Sequence, residues 1–160
     1  MPSGLEILLG EKHQRWIRIV VALLVLLSTA SLCWRGIVLS DEGYLLLQAL
    51  DLRDGKVLYR DMDAFVTPGI WLLLAGLFSV VEPSVLASRF LALLCLLSTI
   101  AVSYIIVSRL AGRIYALASV GGLLVFSVWA FPAWTFSFYS PFAVMFALWG
   151  LERLLAWSGP

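Results

Sequence analysis

Four apolar runs, Trp16–Leu39, Val85–Val107, Ile114–Phe131 and Pro141–Trp157, leave this chain few folds to choose from. A hydrocarbon core about 30 Å thick is crossed by about 20 apolar residues in helical form. Lipid offers no partner to an exposed backbone N–H or C=O, so each run is predicted to close its own hydrogen bonds as a transmembrane helix. Composition agrees: 62% of the 160 residues are hydrophobic and 13% are charged, against about half and about a quarter in soluble domains. The expected fold class is therefore an all-α integral membrane protein with about four transmembrane helices. A formal net charge of +1 without a clustered basic surface excludes a nucleic-acid binder, which must neutralise a row of phosphates.

A fifth apolar run, Pro68–Val81, reaches only about 21 Å as a helix, short of a bilayer core. It is read as a short apolar helix at the membrane surface. Lys and Arg in short flanking segments tend to stay cytoplasmic, and Lys12, Arg15 and Arg18 cluster at the start of the first run. That places the N-terminus inside and Ser40 outside. If Pro68–Val81 does not cross, Arg109, Arg113 and Arg153 all fall inside, and residues 40–84 form a long outer loop. The basic flank and the length of the first run predict a retained anchor rather than a cleaved signal. Cys33 and Cys95 lie in apolar runs and read as buried thiols; His13 reads as a solvated or headgroup-facing side chain.

The charged residues of the outer loop carry its chemistry. Asp41–Asp54 is predicted to be an amphipathic interfacial helix, capped by Ser40 and ended by Gly55 in the left-handed conformation. Asp41, Tyr44, Gln48 and Asp51 recur near helical spacing, opposite Leu45, Leu46, Ala49, Leu50 and Leu52; the apolar side is expected to dip among acyl chains and the polar stripe to face a cavity. Asp41 and Glu42 sit where a carboxylate either stabilises the helix dipole or serves as a general base. Tyr59-Arg60-Asp61-Met62-Asp63 is expected to be extended, with both carboxylates on one side, where a divalent metal or a pair of donors could engage them. The plainer reading is that Arg53 and Arg60 pair with neighbouring acids.

The order of these pieces resembles a known family. A first span, Asp41-Glu42-Gly43-Tyr44, a helix closed by Asp54-Gly55, Tyr59-Arg60-Asp61, Pro68, a short apolar helix and Ala87-Ser88-Arg89-Phe90 together look like the N-terminal part of the polytopic glycosyltransferases that use lipid-phosphate sugar donors. This GT-C type includes the protein mannosyltransferases, the lipid A aminoarabinose transferases and bacterial lipopolysaccharide sugar transferases. The resemblance covers roughly Arg18 to Arg113. It implies an inverting transfer, on the outer face of a bacterial inner membrane, from a polyprenyl-phosphate sugar to a lipid, glycan or protein acceptor. By the same resemblance Asp41, supported by Glu42, would activate the acceptor, and Asp61 would be the second catalytic acid. Tyr44, Tyr59, Arg60 and Asp63 would line the substrates, and Arg89 would hold the donor phosphate. No cofactor is certain, and a divalent metal stays open. The chain differs from the family pattern at Val66-Thr67, where a basic residue or second proline is common, and in the acid-free aromatic segment 132–140. Family members have more spans, so the chain is expected to be the N-terminal portion of a larger enzyme, lacking a C-terminal part or a partner chain. The other class open to such a sequence is a small non-enzymatic multipass protein, a transporter or flippase subunit or an assembly factor.

Overall fold

A computed structural model describes residues 11–34, 39–63, 68–127 and 137–157. The flank 1–10, the end of the first apolar run at 35–38, the Val66-Thr67 stretch and the aromatic segment 128–136 lie outside the described residues. Within them the chain is all-helical. The helices are α1 (Glu11–Ala30), α2 (Tyr44–Arg53), α3 (Gly69–Val80), α4 (Val85–Leu110), α5 (Arg113–Val125) and α6 (Tyr139–Trp157). A single 3-10 turn, Ser31–Trp34, follows α1, and a π-helical turn, Leu39–Gly43, leads into α2.

Among the described residues one helix, α4, is long and apolar enough to cross a membrane. Its 26 residues span about 39 Å. The other predicted spans are also helical but stop short of that test. α5 has 13 regular residues, about 20 Å, and α6 has 19 residues that include Glu152 and Arg153. The run Pro68–Val81 is a helix of 12 residues, about 18 Å long, as its length in sequence predicted.

Local signals account for the boundaries. Ser84 caps α4, its hydroxyl accepting from the Ala87 amide at 3.1 Å, which satisfies one of the donors a helix start leaves open. Gly112, at φ 94°, turns the chain sharply between α4 and α5, a conformation that a Cβ disfavours. Gly55, at φ 96°, ends α2 as predicted, with its amide bonded to the Leu52 carbonyl at 3.1 Å. Ser40 is not the cap of α2: the π-helical turn runs straight into it, and the residue ahead of it, Gly43, is already helical.

α4 is the axis of the fold, packing against α5 and α6 and, through Leu96, Ile100 and Val120, forming one apolar cluster. A second cluster joins α2 and α3 to the N-terminal half of α4: Leu45, Ala49, Ile70, Trp71, Leu74 and Phe78 pack with Cys95 and with Phe142 of α6. This corrects the expectation for α2. Leu45 and Ala49 pack on α3 with the wholly buried Trp71 and Leu74, and Gln48, expected on the polar stripe, is buried on the same face of α2. Cys95 is buried and Cys33 half-buried, both as free thiols.

Candidate functional site

The turn before α2 separates two adjacent acids. Successive residues of a helical turn point about 100° apart, so Asp41 stands exposed while Glu42 turns inward. There it meets Arg89, one turn into α4. Arg89 Nε donates to Glu42 Oε1 and Nη2 to Oε2, each at 2.7 Å. Its Nη1 donates to the Cys33 carbonyl at 2.9 Å, beyond the end of α1. Glu42 is 1% and Arg89 4% exposed. A fork of this kind fixes orientation as well as position, and here it joins three parts of the chain at the N-terminal end of α4. One residue earlier on α4, the Ser88 carbonyl accepts from the Ser137 hydroxyl at 2.6 Å, adding the approach to α6 to the same junction.

Tyr44 starts the next turn. Its hydroxyl donates to the Asp63 carbonyl, and its ring meets Trp71 edge-on with centroids 6.4 Å apart. Burial first, and then the nearby Asp63 carboxylate, push the Tyr44 phenol above its ordinary pKa, which keeps the donating proton in place. The Gln48 Oε1 acceptor on the buried face of α2 and the Trp71 Nε1 donor of α3 have no hydrogen-bond partner among the described residues.

The segment after Gly55 is a tight loop rather than an extended strand. The Val57 carbonyl accepts from the Asp61 amide at 2.9 Å, and the Val57 amide donates back to Asp61 Oδ2 at 2.9 Å. Tyr59, at the tip, is exposed and takes φ 64°, an uncommon conformation for a residue with a Cβ. Arg60 Nε and Nη2 bind Asp61 Oδ1 and Oδ2 at 2.9 and 2.8 Å. The Arg60 guanidinium, with help from the Val57 amide, holds the Asp61 carboxyl below the usual carboxylate range. Lys56 reaches back to Asp51 at 2.9 Å, and Arg53 to Asp54.

The predicted site residues thus fall into three contacts: Glu42 with Arg89, Tyr44 with the Asp63 backbone, and Arg60 with Asp61. Asp41 is exposed beside the first, the Asp63 side chain is exposed beside the second, and Tyr59 projects from the third. Asp61 Oδ2 accepts from both Arg60 and Val57 and Oδ1 from Arg60, so this carboxylate is already engaged by donors of its own loop. Among the described residues no group of three or more His, Cys, Asp or Glu side chains is placed to hold a metal.

Sequence reading missed the partners that complete the junction, the Cys33 carbonyl and the Ser88–Ser137 contact, because backbone acceptors leave no residue-type signal. It also missed Glu152, which pairs with Arg109 at 2.7 Å. A lone carboxylate in an apolar run was a readable signal, since such a charge is costly without a partner.

No family model matches this chain, and no curated protein and no solved structure matches it either.

Proposed function

We propose that this chain is the N-terminal, acceptor-side part of a membrane glycosyltransferase that uses a polyprenyl-phosphate sugar. The observation that carries the reading is the paired setting of Asp41 and Glu42: one carboxylate is exposed, and its neighbour is locked to Arg89 beside it. A general base needs a fixed position within reach of its proton. The Glu42–Arg89 fork supplies that fixity, so Glu42 and Arg89 are positioning residues in this reading and Asp41 is the catalytic one. The acceptor hydroxyl attacks the anomeric carbon and its proton passes to Asp41. The bond from that carbon to the phosphate oxygen breaks, and the lipid phosphate departs with the electron pair. Because the departing phosphate is already anionic, it needs little protonation. Nearby cations serve it instead, and the exposed guanidinium of Arg60 is better placed to meet it than Arg89, whose donors serve Glu42 and Cys33.

The same proposal has four crossings, with the N-terminus cytoplasmic and residues 40–84 outside. Twenty residues separate Arg89 from Arg109 on α4, about 30 Å of helix and therefore one hydrocarbon thickness, which supports the charged ends lying at opposite surfaces. The alternative, a small non-enzymatic multipass protein, is favoured by one observation. Glu42 and Asp61 are each bound by an arginine of the same chain, as purely structural acids would be.

The test is sugar transfer from a polyprenyl-phosphate donor by the complete protein. Asp41→Asn is expected to lower kcat by roughly 10²–10⁴, while Asp61→Asn has the smaller effect of loosening its loop. Unchanged turnover in Asp41→Asn sinks the catalytic reading. Orientation is read separately by labelling single cysteines at exposed Glu82 and Ala111 in a background without Cys33 and Cys95. Labelling of Glu82→Cys alone by an impermeant reagent on intact cells is the expected result.

A further inference from the structure

The C-terminal end of α4 carries a second charge cluster that the candidate site does not use. Glu152 of α6 is 3% exposed, and Arg109 Nη1 stands 2.7 Å from its Oε1. Arg153 Nε lies 3.1 Å from Oε2, off the alignment of a hydrogen bond, and that oxygen has no hydrogen-bond partner among the described residues. The Arg153 guanidinium also lies over the Trp149 ring, 5.9 Å from its centroid. Trp149 is held in turn, its Nε1 donating to Ser98 Oγ of α4 at 2.8 Å. Arg113 opens α5 at the same end. Two guanidinium groups therefore share one carboxylate, and the Arg109 and Arg153 side chains remain 48% and 75% exposed.

We propose that this cluster is a headgroup site for an anionic phospholipid, its phosphate bridging Arg109 and Arg153. Charge complementarity selects an anion, because one buried carboxylate cannot neutralise the arginines around it. The planar fork of arginine matches phosphate oxygens. Depth selects a lipid over a free ion: Arg109 sits one hydrocarbon thickness from Arg89. Trp157, almost fully exposed at the end of α6, is the kind of residue that anchors at headgroup level. Exposed Leu151 and Leu154 continue from the cluster as a surface for acyl chains. The Trp149 ring lies under the Arg153 guanidinium and adds a second weak hold to its contact with Glu152, while most of the side chain stays exposed. The inference rests on α4 crossing a membrane and not on the sugar-transfer reading, so either can fail alone.

The test uses the full chain in detergent, titrated with phosphatidylglycerol, phosphatidylcholine and inorganic phosphate, with retained lipid counted by native mass spectrometry. Phosphatidylglycerol is expected to be retained in preference to phosphatidylcholine. A guanidinium near anionic headgroups is worth about fivefold in affinity, so Arg153→Gln should weaken phosphatidylglycerol binding about fivefold and Arg109→Gln with Arg153→Gln roughly 30-fold. Arg153→Gln leaves the Arg109–Glu152 pair intact, so its result does not depend on whether the double variant folds. Lys56→Gln, which removes a cation from the loop after α2, should change nothing. Equal retention of the two lipids, binding that survives Arg153→Gln unchanged, or saturation by inorganic phosphate in place of lipid would each overturn the proposal.

Discussion

The two ends of α4 each hold an arginine against a glutamate from another part of the chain, and they are built differently. At the N-terminal end Glu42 and Arg89 are both buried, joined by two bonds of 2.7 Å and backed by the Cys33 carbonyl. At the C-terminal end only Glu152 is buried; Arg109 is half exposed and one carboxylate oxygen has no hydrogen bond among the described residues. Taking a charge out of water costs several kcal/mol unless its hydrogen bonds are complete. The first end meets that condition with groups of its own chain, and so acts as a lock. The second leaves guanidinium edges facing outward, and so acts as a socket.

Truncating the arginine at each end should break this contrast in a measurable way. Arg89→Ala strands a buried carboxylate and is expected to cost about 3–5 kcal/mol of stability, seen as a large fall in the thermal midpoint of the full chain in detergent. Arg109→Ala exposes Glu152 to a nearby second arginine and to solvent, so the loss should be about 1–2 kcal/mol. Replacing both partners at the lock, Glu42→Leu with Arg89→Met, should recover most of the Arg89→Ala loss, since a matched apolar pair leaves no stranded charge. Equal losses from the two single truncations would erase the distinction between lock and socket.

Much of the scaffold was legible because local chemistry set it. Pro68 and the apolar run behind it gave α3, the apolar run from Val85 gave the start of α4, and Gly55 gave the end of α2. Each of these is a decision made within a few residues. The lock was not legible, although both of its residues drew attention, because Glu42 and Arg89 are 47 positions apart and no spacing rule links them. The resemblance gave them separate roles, Glu42 in support of Asp41 and Arg89 on the donor phosphate, and it gave no sign of their contact. The face of α2 failed for a related reason. Periodicity sorts residues by polarity and not by what covers them, so Gln48 was assigned to the polar stripe although it is buried beside Leu45 and Ala49. The loop at Asp61 failed on a competing local bond: an alternation of acids suggested an extended strand, yet a carboxylate accepting from the Val57 amide four residues back favours a closed turn.

That turn provides a third arginine–carboxylate pair and the smallest expected effect. Arg60 and Asp61 are held as closely as the lock, at 2.8 and 2.9 Å, but on the surface, where ion pairs contribute little. What they do change is a titration. Asp61 is held below its ordinary value of 3.8, first by the Arg60 guanidinium, then by the Val57 amide and more weakly by Lys56, while burial works against them. A carboxyl whose folded pKa is depressed gives the turn its full contribution above the unfolded value, and that contribution drains as pH falls through the lower folded one. The Val57 amide proton reports it directly, because its acceptor is the titrating oxygen. Followed by NMR in detergent micelles, its chemical shift should move with a midpoint below 3.8, and Asp61→Asn should abolish the step. Arg60→Gln should raise the midpoint toward the ordinary value, the guanidinium being the larger of the two causes. A midpoint at or above 3.8 in the unmodified chain would mean that the surface pair does not hold the carboxylate, and that burial alone separates the lock from the loop.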